Sequence, residues 1–464
     1  MKTLSLALRN LLRNRRRSLT SLLAVMIGGF SLLMFGGYVR NITYGLETGF
    51  VSESGHFQIQ KKDYFLYGNG NPTAYGIADY PAIIRTIKKD PRLSELISVV
   101  TPIMQLGGIA GNFAAATSRT VVAIGMVVDD QNRMRQWNEH RFPLQKRQLS
   151  LTGTGNDTAV IGFGVARALD MCGVLAVANC KRAAPTLSNQ DASAVPADIA
   201  DLSLQETPKQ SGPNQSRLIE MLAPNAHGAP NMTQLTVVKA EEQGIKELDD
   251  IFVALHIGQA QKLVYGKETP KVTAIEVQLK STREMHEVEP LLHKIIEMSP
   301  EKDQLTIIDF KTLNPFYDQT LRLFDVIFGF ISILIATIVI FMLGNTMSMA
   351  VVERTVEIGT LRAIGLKRGD IRTLFITEGL LLGVFGSLLG LLLAIAVAAT
   401  VNASGLHWTP PGRILEVPLT VRVWGEWLLM TIVAIGLIAI AGLSSWLPAQ
   451  SAAQMNIVDA LRHV

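Results

Sequence analysis

VVERTVEIGTLRAIGLKRGDIR, residues Val351–Arg372, separates two long apolar segments, one ending near Ala350 and the next beginning near Thr373. It carries Glu353, Arg354, Glu357, Arg362, Lys367, Arg368, Asp370 and Arg372. A short charged connection between two membrane spans has to sit in water, and its surplus of Lys and Arg places it on the cytoplasmic side. Apolar residues recur at Ile358, Leu361, Ala363, Ile364 and Leu366, interrupted by Gly359 and Gly365. That pattern predicts a short amphipathic helix with a glycine stop. Periodicity alone leaves two uses open: a connector lying on the membrane surface, or a peg for the groove of a cytoplasmic partner.

On either side the spans follow from length and hydropathy. Residues 321–350 exceed the roughly 20 residues a bilayer needs, so the second span has spare length to project as a stalk on the outer face. Residues 373–401 form the third span, in which Gly379, Gly383, Gly386 and Gly390 make a small-residue stripe suited to close helix contact. Glu378 is a lone acid near the inner end of that span, expected to snorkel to the surface. An outer loop covers 402–425. The fourth span covers 426–447, with Trp427 and Trp446 near its ends as interface anchors, and Pro448 is expected to stop it. Residues 448–464 are then a cytoplasmic tail.

The first 17 residues, MKTLSLALRNLLRNRRR, set Leu4, Leu8, Leu11 and Leu12 on one helical face and contain six basic residues and no acid. This is an amphipathic basic helix for the membrane interface. The same residues could serve as the n-region of a signal peptide, but 18–40 is as long as a full span and is read as the first transmembrane helix. Gly28-Gly29 and Gly36-Gly37 recur on roughly one face of it. Both ends fall inside, and the basic N-terminus and the 351–372 connection fall on one side without adjustment. The fold class is therefore a membrane protein of four transmembrane helices, with a large extracytoplasmic domain inserted between helices one and two.

That domain, 41–320, reads as α+β. Phe57–Gln60, Val121–Val128, Leu235–Ala240 and Ala274–Lys280 have strand character, Tyr80–Lys89 and Glu284–Met298 have helix character, and Asn69–Thr73 is a turn. Ala183–Pro230, rich in Pro, Ser, Asn, Gln and Ala, reads as a long loop or insertion, with local order at Leu202–Pro208 and Gln215–Leu222. The expected division is a core of 41–140 with 230–318 and an intervening subdomain at 141–229. The only two cysteines, Cys172 and Cys180, fall in this part, where a disulfide can form; two buried thiols are the other reading.

With 464 residues and a mean hydropathy of +0.27, the chain has room for one membrane domain and one sizeable soluble domain. The formal net charge of +4 is small, and its basic residues cluster where they orient a membrane protein rather than where they would track nucleic acid. No G-x-x-x-x-G-K-[ST], H-E-x-x-H, C-x-x-C or G-x-S-x-G occurs. Gly162-Phe163-Gly164 begins only a weak glycine pattern, and His256 beside strand-like residues reads as structural. No catalytic, cofactor or metal site is assigned. The scarcity of intramembrane charge argues against a hydrophilic conduit.

The segment ERTVEIGTLRAIGLKRGDI resembles the connection after the second span in the FtsX/MacB/LolC–LolE superfamily of ABC-transporter permeases, the type VII or mechanotransmission class. Pro448-Ala449 and Asp459-Ala460-Leu461-Arg462 resemble the family's closing pattern. The resemblance covers the membrane half and reaches the middle segment by position only. It implies a coupling helix docked on a separate cytoplasmic ATPase, which would bind the ATP and Mg. The coupling role would fall to Glu353, Arg354, Glu357, Ile358, Gly359, Leu361, Arg362, Ala363, Ile364 and Gly365, with charged members pairing with the ATPase and apolar members filling its groove. It further implies a bacterial inner-membrane location, a second permease chain in a homo- or heterodimer, contact with membrane lipid, and a periplasmic chaperone, adaptor or lipoprotein as partner. The cargo would be lipoprotein, lipid or another amphipathic molecule. The competing expectation is an FtsX-like signalling protein that regulates a periplasmic cell-wall hydrolase.

Overall fold

The computed structural model describes residues 2–13, 15–142, 148–177, 180, 217–409, 416–457 and 460. Its helices of six or more residues are α1 (Lys2–Arg13), α2 (Arg15–Ser54), α3 (Tyr80–Lys89), α4 (Pro91–Leu96), α5 (Val128–Met134), α6 (Phe163–Ala168), α7 (Ile257–Tyr265), α8 (Met285–Glu297), α9 (Pro315–Glu353), α10 (Thr355–Ala363), α11 (Arg368–Ala403) and α12 (Trp427–Gln454). The chain divides into two compact units. One comprises Met1–Leu46, Phe316–Trp408 and Val417–Val464; the other comprises Glu47–Pro315 and Thr409–Glu416.

In the first unit, α2, α9, α11 and α12 are each long and apolar enough to cross a membrane. The glycines of α11 explain how they pack. A Cβ on Gly379 would lie 1.8 Å from Ser445 Oγ, and one on Gly383 would lie 2.9 Å from Ala441 Cβ, both on α12. One on Gly386 would meet Val25, and one on Gly390 would lie 2.7 Å from Met26 O, both on α2. The stripe seats α11 between two neighbours of its own chain, because packing and not water exclusion drives helix association in lipid. Pro448 does not stop the last helix as expected: α12 runs on to Gln454. Ala449 and Ala452, just past the proline, are fully buried against Val351, Ile358, Ile371 and Phe375. That burial outweighs the one backbone bond the proline removes.

The second unit is built on nine strands: β1 (Phe57–Lys61), β2 (Ile97–Asn112), β3 (Thr117–Met126), β4 (Thr158–Gly162), β5 (Leu218–Pro224), β6 (Pro230–Glu241), β7 (Phe252–His256), β8 (Ala274–Leu279) and β9 (Leu305–Asp309). The long β2 joins the open and the closed parts of one nine-stranded sheet. Its first half pairs with β8, followed by β1 and β9. Its second half pairs with β3 on one side and β5 on the other, and the run β3-β7-β4-β6-β5 closes back on it. Closure removes the edges that six strands would otherwise expose.

Two cores correspond to these halves. Phe57, Ile59, Ile83, Ile87, Ile275, Val277 and Leu292 pack the open sheet against α3, α4 and α8. Met104, Leu106, Val121, Ile161, Met221, Leu235 and Leu255 fill the closed part with side chains of α6 and α7. This moves the expected division. Residues 217–265 share a core with 104–171, not with 41–100, because β5 and β6 are members of the closed set. The C-terminal end of Ala183–Pro230 is likewise strand, where Leu218–Pro224 pairs with Pro230–Thr236; Leu202–Pro208 lies outside the described residues. Cys172 and Cys180 form a disulfide with Cα atoms 5.6 Å apart.

Candidate functional site

The connection between α9 and α11 holds a helix where one was expected. α9 breaks at Arg354, which has φ −102° and ψ 16°, and α10 follows directly. At the other end Gly365 adopts φ +110°, Gly365 N donates to Arg362 O and Leu366 N donates to Leu361 O. This is the glycine-ended helix stop, in a backbone conformation that glycine adopts without strain. α11 then opens with Lys367 N donating to Asp370 Oδ2 at 3.0 Å.

α10 has two faces. Ile358 and Gly359 are buried, packed with Val351, Ile371, Phe375, Ala449 and Ala452. Val356, Thr360, Ala363 and Ile364 are exposed at i, i+4, i+7 and i+8, and Ile364 is 76% exposed. A free apolar ridge at this spacing suits a helix-in-groove contact. Of the predicted coupling residues, Ala363, Ile364 and Gly365 are exposed, and Leu361 and Arg362 are half-buried. Arg354, Ile358 and Gly359 are corrections to that set, since burial within the chain leaves them no surface for a partner.

The charged members expected to pair with a partner all find one inside the chain. Arg13 Nη2 donates to both oxygens of Glu357, at 2.5 and 2.6 Å, and Arg17 pairs with Glu353. Arg362 Nη1 donates to Met455 O at 2.5 Å, which caps the C-terminus of α12 with a cation. Arg354 Nη1 donates to Glu378 Oε1 at 3.1 Å, and Arg354 Nη2 to Asn10 O at 3.3 Å. Asn10 Nδ2 completes the set by donating to Glu378 Oε1 at 2.7 Å. Arg354 is 6% exposed and Glu378 2%. Glu378 therefore does not snorkel. Arg354 brings the counter-charge to it, and two buried charges without each other would be far costlier than the pair.

Sequence reasoning missed Asn10 and Glu378 as members of this site. The signal was present in part. Arg354, Ile358 and Leu361 stand at i, i+4 and i+7, so an arginine falls on the apolar side and requires an acid nearby. On α1, Ala7 is fully buried while Leu4, Leu8 and Leu12 are exposed. Leu4, Leu8 and Leu12 thus remain free for an interface, as an amphipathic membrane helix requires, whereas Leu11, expected on the same face, packs with the Ala7–Asn10 side that meets the protein.

In the second unit, Glu47, Glu139 and His140 place ligand-type atoms within 4.8 Å of one another. Their partners already account for the arrangement. His140 Nε2 lies 3.1 Å from Glu47 Oε1, Thr282 Oγ1 donates to Glu47, and Glu139 accepts from Ser281 Oγ and Thr282 N, both at 2.8 Å. His56 sits behind them: its Nδ1 accepts from Leu279 N, so its Nε2 donates to Thr282 Oγ1 at 3.1 Å. Burial lowers the His56 pKa to about 4. Burial also raises Glu276, which accepts from Gln131 and Gln58, to about 8. The weak glycine pattern has a structural use. Phe163 N and Gly164 N donate to the two oxygens of Asp249 at the start of α6, and a Cβ on Gly162 would lie 2.1 Å from Asp249 O. His256 Nε2 lies 3.1 Å from Thr154 Oγ1.

Residues 329–457 match the FtsX-like permease C-terminal family, and the match takes in α10, α11 and α12 entire or nearly so. This part of the chain is an FtsX-like permease domain. Over 217 residues the chain is 29% identical to an uncharacterised ABC transporter permease of Methanocaldococcus jannaschii, covering 46% of this chain and 51% of that protein. It is 25% identical over 186 residues to the lipoprotein-releasing system transmembrane protein LolC of Neisseria meningitidis serogroup B, covering 38% and 43%. It is 31% identical over 143 residues to the macrolide export ATP-binding/permease protein MacB 1 of Yersinia pestis bv. Antiqua, covering 31% and 20%. The chain spans about half or less of the length of these relatives. The likenesses place the FtsX-like domain among the FtsX, MacB and LolC permeases, in a multi-pass membrane protein.

Proposed function

We propose that this chain is the permease subunit of an ABC transporter, coupling ATP hydrolysis by a separate cytoplasmic ATPase to rearrangement of an extracytoplasmic second unit. The cargo on this reading is lipoprotein, lipid or another amphipathic molecule. The observation that carries the proposal is the α10 ridge. Ile364 and Val356 are exposed on a helix whose opposite side is anchored, which is the form of a docking peg and not of a loose connector. Three further features support it. The cytoplasmic charge excess at 351–372 agrees with that of the N-terminus; the four candidate spans are strongly apolar; and LolC and MacB, whose names denote lipoprotein release and macrolide export, align with this chain.

The ridge also refines which residues would meet the ATPase. Val356, Thr360, Ala363 and Ile364 would enter its groove. Glu353 and Glu357, half-exposed while paired to α1 and α2, would border the contact. Ile364→Glu puts a charge at the most exposed apolar position without touching the buried face. Purified from its native membrane in mild detergent, this variant should retain about tenfold less ATPase than wild type, with the membrane domain intact by thermal unfolding. Equal retention would overturn the docking assignment.

A further inference from the structure

The tie between Arg354, Glu378 and Asn10 joins three places far apart in the chain. Arg354 is the residue at which α9 gives way to α10, Glu378 is in the third turn of α11, and Asn10 is on α1. Each makes a bond to both of the others, at 3.1, 3.3 and 2.7 Å. Apolar packing of Ile358 on Ile371 and Phe375 would by itself keep α10 against the domain. Buried charges are a costly way to add to that, and replacing such a pair by apolar groups is often neutral or stabilising. Directed bonds do what apolar contact does not: they fix the rotation and register of the parts they join. Among the described residues Arg354 Nε has no hydrogen-bond partner, so stability is not what this arrangement maximises. Around it, Arg13–Glu357 and Arg17–Glu353 repeat the linkage on the exposed side, again from α1 and the start of α2 to the residues flanking Arg354.

We infer that Arg354, Glu378 and Asn10 are positioning residues that lock α1, α10 and the first turns of α11 into one moving body. The break at Arg354 is the place where a push on α10 would otherwise be absorbed by bending. With the lock closed, that push is delivered to α1 and α11. The inference rests on the reading of α10 as an ATPase-docking peg, and it extends the coupling apparatus to a helix at the other end of the chain.

The test uses the full chain with its co-purifying ATPase and a reporter pair, Arg13→Cys/Glu357→Cys, whose cross-linking measures how firmly α1 holds α10. Arg354→Met/Glu378→Leu removes both charges at similar volume. Arg354→Glu/Glu378→Arg restores the pair in reverse. At rest, the apolar variant should cross-link about fivefold more slowly than the parent, and the reversed pair should recover most of the rate. With ATP and vanadate added, cross-linking should persist in the parent and fall further in the apolar variant, while the amount of retained ATPase is unchanged. Equal resting rates in all three, or slow rates in the apolar and reversed pairs alike, would overturn the lock. Absence of a retained ATPase from the parent would instead overturn the functional reading, and the resting rates would still decide the lock.

Discussion

Arg354 and Glu357 are three positions apart and both ion-paired, yet breaking the two pairs should cost very different amounts. Glu378→Gln leaves the Arg354 guanidinium buried without a counter-charge, which costs about 3–5 kcal/mol. Glu357→Ala breaks a pair whose members are both about half exposed, worth less than about 1 kcal/mol. Thermal unfolding in detergent should therefore separate the two variants clearly, and a small effect for Glu378→Gln would mean that water reaches the site. Two buried groups in the second unit define a pH window in the same way. Glu276 titrates at about 8 in the fold against 4.5 unfolded, so the folded state binds the extra proton and stability falls as pH rises between those values. His56 titrates at about 4 in the fold against 6.5 unfolded, so the unfolded state binds the extra proton and stability falls as pH drops from 6.5 to about 4. Their slopes oppose each other from 4.5 to 6.5, leaving a flat maximum with a loss on either side. Glu276→Gln should flatten the alkaline limb and, by removing the opposing slope, extend the acid limb up to about pH 6.5, measured as unfolding temperature against pH; an unchanged alkaline limb would mean that Glu276 ionises freely in the fold.

Elements were legible where a single pattern decided them. Tyr80–Lys89 was bounded correctly because an apolar spacing of three and four ran between a proline and an acidic residue, and α10 was visible because Gly365 closes it. β1, β3, β6 and β8 are legible as β-branched runs, whereas β2, β4, β5, β7 and β9 are not legible as strands, and no pairing is legible. Nothing in Ile97–Asn112 announces that one strand serves both parts of the sheet, since that depends on partners more than 100 residues away, such as Leu222 and Ile275. Pro448 misled because its local cost is a property of the residue, while the burial of Ala449 and Ala452 is a property of neighbours. The glycines of α11 were recognisable as a contact surface, but sequence could not say whether the contact was to this chain or to a second copy. Gly379→Val drives a side chain into Ser445 and should destabilise the membrane domain by about 1–3 kcal/mol. A Cβ on Gly436, in α12, meets nothing within 4 Å, and Gly436→Ala should stabilise by about 0.5–1 kcal/mol through helix preference alone. If both changes destabilise equally, a partner occupies the open side of α12.

At the scale of the whole molecule, the proposed coupling depends on which side of the membrane each part faces. α2 has 40 residues and α9 has 39, which at 1.5 Å per residue is about 60 Å each, some twice the roughly 30 Å of a hydrocarbon core. Each has length to cross a bilayer and continue well into water, and each enters the second unit in sequence, α2 at Glu47 and α9 backwards from Phe316 to Pro315. On the proposed reading, an ATPase pushing on α10 would act on that unit from across the membrane, with these helices carrying the movement. The charge distribution already commits to an answer: basic residues surround α1 and α10, so both should face the cytoplasm. Single cysteines at Val356 and Met298, both exposed, convert this into a measurement, and the disulfide of Cys172 and Cys180 keeps the native thiols silent. A membrane-impermeant maleimide applied to intact spheroplasts should modify Met298→Cys and leave Val356→Cys untouched until the membrane is opened. Labelling of both from outside would mean that α10 is not where a cytoplasmic ATPase can reach it. Labelling of neither would place the second unit beside the ATPase, leaving no far side for the force to be delivered to.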